Sequence, residues 1–203
     1  MKPAKEFRHR GPTESIGSTA ADNLRYIRNT IEAAQTFTTI PGKGCVAMGV
    51  AGVAAAVLES VPALSPHWLP VWLTAAVVSC AIALFFMERK ARLQGLSLRR
   101  AVATRFFLTL APAFTAGGIL TVTLSGTVGR EVIAGIWLLL YGVGIAAAGL
   151  FSIPLVLIAG FAFMGFGTVA LSAPAAWAPW LLGAGFGGIH IVLGGLIIRD
   201  HGG

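Results

Sequence analysis

Six long apolar segments, separated by short polar stretches, make up most of this 203-residue chain. Each is close to the ~20 residues that a helix needs to cross about 30 Å of hydrocarbon. The pattern predicts an all-α fold, a polytopic membrane helix bundle with six transmembrane helices. The predicted spans are Cys45–Val61, Trp68–Met87, Phe106–Leu124, Val132–Leu150, Pro154–Ser172 and Trp177–Ile198.

The chain before the first span has a different pattern. Residues 1–17 are polar and contain Gly and Pro, which predicts a disordered tail. Residues 18–42 place apolar side chains on one helical face and end in a Pro-Gly-Lys-Gly turn, which predicts an amphipathic helix followed by a turn. That helix either lies on the inner leaflet or packs on the inner end of the bundle, and residues 43–203 form the transmembrane domain. The apolar positions of the face are Leu24, Ile27, Ile31 and Ala34.

Composition excludes a soluble protein. Hydrophobic residues make up 56% of the chain and charged residues 11%, against roughly 25% charged residues in soluble domains. The net charge of +7 does not indicate nucleic-acid binding, because the basic residues flank apolar spans. They suit an anionic lipid surface instead.

The basic residues lie almost entirely on one side of the predicted bilayer. Because positive charge is retained in the cytoplasm during insertion, both termini are expected inside (N-in/C-in), in the inner membrane of a bacterium. The exception is Arg130. The other fourteen are Lys2, Lys5, Arg8, Arg10, Arg25, Arg28, Lys43, Arg89, Lys90, Arg92, Arg99, Arg100, Arg105 and Arg199.

The link between the fourth and fifth spans is the weakest part of this topology, because residues 151–153 carry no charge. If the two flanking segments were re-entrant, the chain would cross four times without moving either terminus.

His190 is the ionisable residue expected near the bilayer midplane. Two interpretations remain open for it. It either makes a structural hydrogen bond or handles a ligand or proton. No metal or cofactor is expected, because the other histidines lie in the tail, a loop and the C-terminus. Candidate hydrogen-bond partners are Tyr141, Thr109, Thr115 and Ser152.

Two further groups have alternative interpretations. Glu59, Arg130 and Glu131 are expected to be solvated caps at the outer ends of their spans, with a Glu59–Arg130 pair as the alternative. In the last span, Gly183, Gly187 and Gly188 are small residues that permit close helix packing, either within one subunit or in a homodimer.

Three stretches stand out: residues 23–32 with Phe37, Thr38 and the turn at 41–44; residues 137–142; and residues 185–194 through Arg199 to Gly203. Together they resemble a family of bacterial polytopic membrane proteins of acidobacterial type. The resemblance covers the chain from about Asn23 onward and implies an inner-membrane location. It supplies no activity, cofactor or catalytic residue. Relatives often carry an Arg in the link between the fourth and fifth spans, and this chain has none.

The predicted function is that of a non-enzymatic membrane platform or signalling component, since no nucleophile stands beside a base. Its partner would be a cytoplasmic regulatory protein or anionic lipid. The alternative is a small-molecule transporter or sensor with His190 in an intramembrane cavity. The candidate contacts on the basic face are Arg25, Arg28, Arg89, Lys90, Arg92, Arg99 and Arg100.

Overall fold

Long apolar helices dominate the computed structural model, which describes residues 21–27, 40–93 and 101–201. The predicted all-α class is confirmed, and no strand occurs in these ranges. Six helical segments are long and apolar enough to cross a membrane. This identifies the chain as a multi-pass membrane protein.

The six helices are named α1 to α6 in chain order. The last, α6, combines two α-helical parts around a π-helical turn. Short 3₁₀ turns precede α2 and α6, at Ser65–His67 and Ala175–Trp177. The bounds are α1 Gly42–Ser60, α2 Trp68–Leu93, α3 Ala101–Leu124, α4 Arg130–Gly149, α5 Pro154–Ser172, and α6 Ala178–Leu182, Gly183–Ile189 (π) and His190–His201.

Successive helices run in opposite directions, so the bundle has two ends. We name them the Glu59 end and the Lys90 end. The Glu59 end holds the links after α1, α3 and α5, because Arg130 at the start of α4 reaches both Glu59 and the Ala175 carbonyl. At the Lys90 end, the Lys90 ammonium reaches the Ile40 carbonyl just before α1.

α4 and α5 make the most extensive contact in the bundle. Glycines allow it: a Cβ added at Gly142 would lie 2.7 Å from the Gly160 oxygen. Since lipid offers no hydrophobic drive to associate, such close backbone approach is how helices gain packing energy in a membrane. Both helices are candidate spans of full length, which favours six crossings over the re-entrant alternative.

α1 and α6 form the second close pair. A Cβ at Gly49 would lie 2.6 Å from the Gly187 oxygen, and a Cβ at Gly52 would lie 2.8 Å from the Gly187 nitrogen. α6 therefore packs along α1 with almost no side-chain volume between them.

The other two helices are peripheral. α2 packs on α1, and α3 packs on α4. Within the described ranges, α2 and α3 do not pack extensively on each other. The most apolar stretch of α2 has no fully buried residue, so most of its surface is left for lipid or for a ligand.

Residues 21–27 form a short helix that belongs to a separate compact unit. All seven residues are exposed, and Arg25 forms an ion pair with Asp22 at 3.3 Å. The predicted tail, residues 1–17, lies outside the described residues, as does most of the predicted amphipathic helix.

Candidate functional site

His190 begins the last α-helical part of α6, and its side chain is 5% exposed. Its Nδ1 lies 2.8 Å from the Phe186 carbonyl oxygen, and its Nε2 lies 2.9 Å from the Tyr141 hydroxyl. A carbonyl oxygen can only accept, so Nδ1 carries the proton and Nε2 accepts from Tyr141. Both nitrogens of a neutral imidazole are thereby satisfied inside the protein. Tyr141 was one of the partners expected for His190.

Aromatic rings surround this pair. The ring of Tyr141 lies 4.8 Å from that of Phe163 and 5.1 Å from that of Phe186, both in edge-on arrangements. The imidazole lies 5.3 Å from the Phe163 ring. Edge-on aromatic pairs add stabilisation beyond their buried area, and they fix the orientation of the His190–Tyr141 pair.

The π-helical turn Gly183–Ile189 directly precedes His190. It contains four glycines and Phe186, whose carbonyl receives the imidazole N–H. π-helical turns are rare and often occur at functional sites. The sequence had indicated only small-residue packing for this stretch.

A cavity of about 630 Å³ lies beside the His190–Tyr141 pair. We call it the lateral groove. It is bounded by α2 and α3 and floored by α1, α4, α5 and α6. Along α2 it extends from Trp68 to Met87, roughly 28 Å at about 1.5 Å per residue. That length is close to the ~30 Å hydrocarbon core of a bilayer.

Apolar side chains dominate the lining of the groove. Tyr141, His190 and Ser79 are the polar side chains among the lining residues, apart from tryptophans and cysteines. The hydroxyl of Tyr141 and the ring nitrogens of His190 are already bonded to each other and to Phe186. The groove can therefore hold a hydrocarbon chain, but it offers a polar solute little to bind.

The groove is open to the side, because α2 and α3 form its two rims without extensive packing between them. Lining residues on the rims are exposed, with Leu73 at 50% and Val77 at 70% on α2. In a bilayer this side faces the lipid chains. A membrane-dissolved molecule can enter without passing through water.

A buried ionic network closes the bundle at the Glu59 end. Glu59 is 1% exposed and accepts a 2.6 Å hydrogen bond from the Trp72 indole. Its other oxygen lies 3.4 Å from Arg130, whose side chain is 28% exposed. Arg130 also donates to the Ser65 hydroxyl at 3.2 Å and to the Ala175 carbonyl at 3.3 Å.

The expectation that Glu59 is a solvated cap is wrong, and the alternative pair with Arg130 forms instead. The physical reason is that the last turn of α1 is covered by α2, whose Trp72 stands over the carboxylate. Glu131 lies in the first turn of α4, as expected, but it is only partly exposed, and one of its carboxylate oxygens is buried. The hydrogen bond from Trp72 to Glu59 was not predicted from the sequence. The sequence does carry a signal for it, because an acidic residue ends one span and a Trp lies near the start of the next.

Of the three glycines predicted to permit close helix packing, two contact another helix and one does not. Gly183 and Gly187 face α1, where added Cβ atoms would meet Ala56 and Val53 at 2.7 and 2.6 Å. Gly188 has open space beside it. The contacts of the first two lie within one chain.

Of the predicted basic contacts, three lie in the last turns of α2. Lys90 donates to the Ile40 carbonyl at 3.0 Å, and Arg92 pairs with Glu88 at 2.8 Å. Arg89 is exposed. Arg25 lies on the short helix 21–27, and the remaining candidates fall outside the described residues. Those are Arg28, Arg99 and Arg100.

The described part of the chain contains no group of three or more His, Cys, Asp or Glu side chains arranged to hold a metal ion. Both cysteines are free. No family model, curated protein or solved structure matches the chain. The resemblance to acidobacterial membrane proteins therefore stays a prediction.

Proposed function

We propose that the protein is a non-enzymatic sensor of the bacterial inner membrane that binds a hydrophobic, membrane-dissolved molecule in the lateral groove. The observation that carries this proposal is the groove itself, an apolar cavity of about 630 Å³ open between α2 and α3. Its volume lies within the ~300–1,000 Å³ range of small-molecule sites.

The lining of the groove favours binding of a hydrophobic molecule over transport of a polar solute. A path for ions or polar molecules needs polar groups spaced through the membrane. Here the mid-depth polar pair, His190 and Tyr141, is internally satisfied. The role assigned to His190 is to shape and fix the groove wall at mid-depth.

Labelling with a photoreactive lipid tests this proposal. The full chain is reconstituted with a lipid whose acyl chain carries a diazirine, and labelled residues are mapped by mass spectrometry. Insertion at Tyr141 is the expected result, because this residue lines the floor of the groove and, unlike the fully buried Phe163, keeps part of its surface accessible. Labels confined to outward-facing residues would contradict the proposal.

Two alanines of α2 that lie two residues apart supply a matched pair of variants. Ala83 lines the groove, whereas Ala81 is exposed and does not. Ala83→Trp should fill the groove and remove the Tyr141 label. Ala81→Trp adds the same side chain to the lipid-facing side and should leave the label in place.

A second candidate function, a cytoplasmic platform for a regulatory protein, is favoured by the short helix 21–27. Leu24 is 68% and Tyr26 72% exposed there, beside the charged Asp22–Arg25 pair. Partners are to be captured with the full chain and with a chain lacking residues 1–42. Identical partner sets would refute the platform.

A further inference from the structure

The two ends of the lateral groove differ in charge. In the described residues near the Lys90 end, α2 carries Arg89, Lys90 and Arg92 against one acid, Glu88. Lys43 is exposed at the same end of α1. The Glu59 end has the opposite balance, with two acids, Glu59 and Glu131, and one Arg.

The groove is also more enclosed toward its basic end. Residues 40 and 41 and the first half of α1, as far as Gly52, line it on one side, and α3 lines it from Phe106 to Phe114. Both stretches belong to the half of the bundle nearer Lys90. An apolar chain therefore gains most protein contact there.

Lys90 stands at the mouth of this half. Its ammonium lies 3.0 Å from the Ile40 carbonyl, and Ile40 is itself a lining residue. An acidic group bound at this ammonium would have its attached chain at the entrance of the groove.

We propose that the occupant is an anionic phospholipid, with one acyl chain in the groove and its phosphate at Lys90. This inference rests on the proposed function and names the ligand class. The open side between α2 and α3 lets the second chain remain in the bilayer. Positive charge at the Lys90 end selects an acidic headgroup over a zwitterionic one.

The test compares two photoreactive lipids with identical diazirine chains, phosphatidylglycerol and phosphatidylcholine, on the full chain in nanodiscs. Phosphatidylglycerol should label Tyr141 several-fold more strongly. Lys90→Gln should reduce this preference about fivefold, the effect of one basic side chain near a membrane surface. Arg92→Gln is the matched control, because it removes the same charge two residues away, where the guanidinium is exposed and paired with Glu88.

Lys90→Arg guards against loss of fold, since it keeps the charge and should keep the preference. Equal labelling by both lipids would overturn the inference and leave the proposed function standing. Absence of label at Tyr141 with either lipid would overturn both. A third arm uses a diazirine fatty acid. If it labels Tyr141 more strongly than phosphatidylglycerol does, the phospholipid assignment is wrong.

Discussion

Single residues at the Glu59 end carry an unusually concentrated set of polar contacts. Glu59 joins α1 to α2 through Trp72 and to α4 through Arg130. A buried carboxylate is costly unless it is both paired and hydrogen-bonded, and Glu59 is both. Glu59 therefore joins three helices, and Arg130 connects the same network to the links that contain Ser65 and Ala175.

We expect Glu59→Ala to destabilise the bundle by about 3 kcal/mol, since it strands the Trp72 indole and a mostly buried Arg130. Glu59→Gln should cost less, because it keeps an acceptor for Trp72. The measurement is thermal unfolding in detergent. Glu88→Ala, which removes an exposed pair with Arg92, is the control and should cost about 0.5 kcal/mol. Equal melting temperatures for Glu59→Ala and Glu88→Ala would contradict the role given to Glu59.

The hydrogen bond between Tyr141 and His190 gives a second expectation at this scale. Tyr141→Phe keeps the ring contacts but removes the proton donor to Nε2. Interhelical hydrogen bonds in membranes contribute about 1 kcal/mol. We expect Tyr141→Phe to lower the free energy of unfolding by about that amount. If Tyr141→Phe caused the same loss in a His190→Phe background, the two residues would not be coupled.

Helix boundaries reveal what apolar periodicity can and cannot predict. The predicted second span ends at Met87, yet α2 continues to Leu93. Hydrophobicity marks where the hydrocarbon ends, whereas the residues that follow, Glu88 to Leu93, are good helix formers that carry the helix onward. The helix of the third span likewise begins earlier, at Ala101, whereas the apolar span itself begins at Phe106, as predicted.

The glycines of α6 also divide in a way that the sequence does not indicate. Gly187 touches α1, and its neighbour Gly188 has open space. Both are small residues in one apolar span, and the packed face is known only once α1 is in place.

The two neighbouring glycines are therefore expected to respond differently to the same substitution by Ala. Gly187→Ala should lower the free energy of unfolding by about 1–3 kcal/mol, because the added Cβ would lie 2.6 Å from Val53 Cγ2. Gly188→Ala should leave stability unchanged. Denaturant unfolding of both variants is the measurement. A Gly188→Ala loss as large as that of Gly187→Ala would show that the packed face has been assigned wrongly.

For the whole molecule, the sequence predicts the number and order of the spans because hydrophobic length is a local property. It does not predict the lateral groove. In lipid, a helix face that packs on protein and one that meets acyl chains are equally apolar. Whether α2 and α3 close on each other depends on which neighbours they find, and α1 and α4 take those positions.

The orientation of the whole molecule remains a prediction from charge. In a chain with both cysteines replaced by Ala, Thr127→Cys at the Glu59 end should react with an impermeant maleimide on intact cells. Leu93→Cys at the Lys90 end should react only after permeabilisation. The reverse labelling would mean that the basic end faces outward and that the predicted N-in topology is wrong.

The central claim is that a lipid chain occupies the space between α2 and α3. A cryo-electron microscopy structure of the full chain in nanodiscs containing phosphatidylglycerol, with a bound antibody fragment for alignment, tests it most directly. The account predicts elongated density along Ala83 and Met87 that ends in a headgroup at the Lys90 ammonium. A structure in which α2 packs on α3 along its length, leaving no space between them, would contradict it.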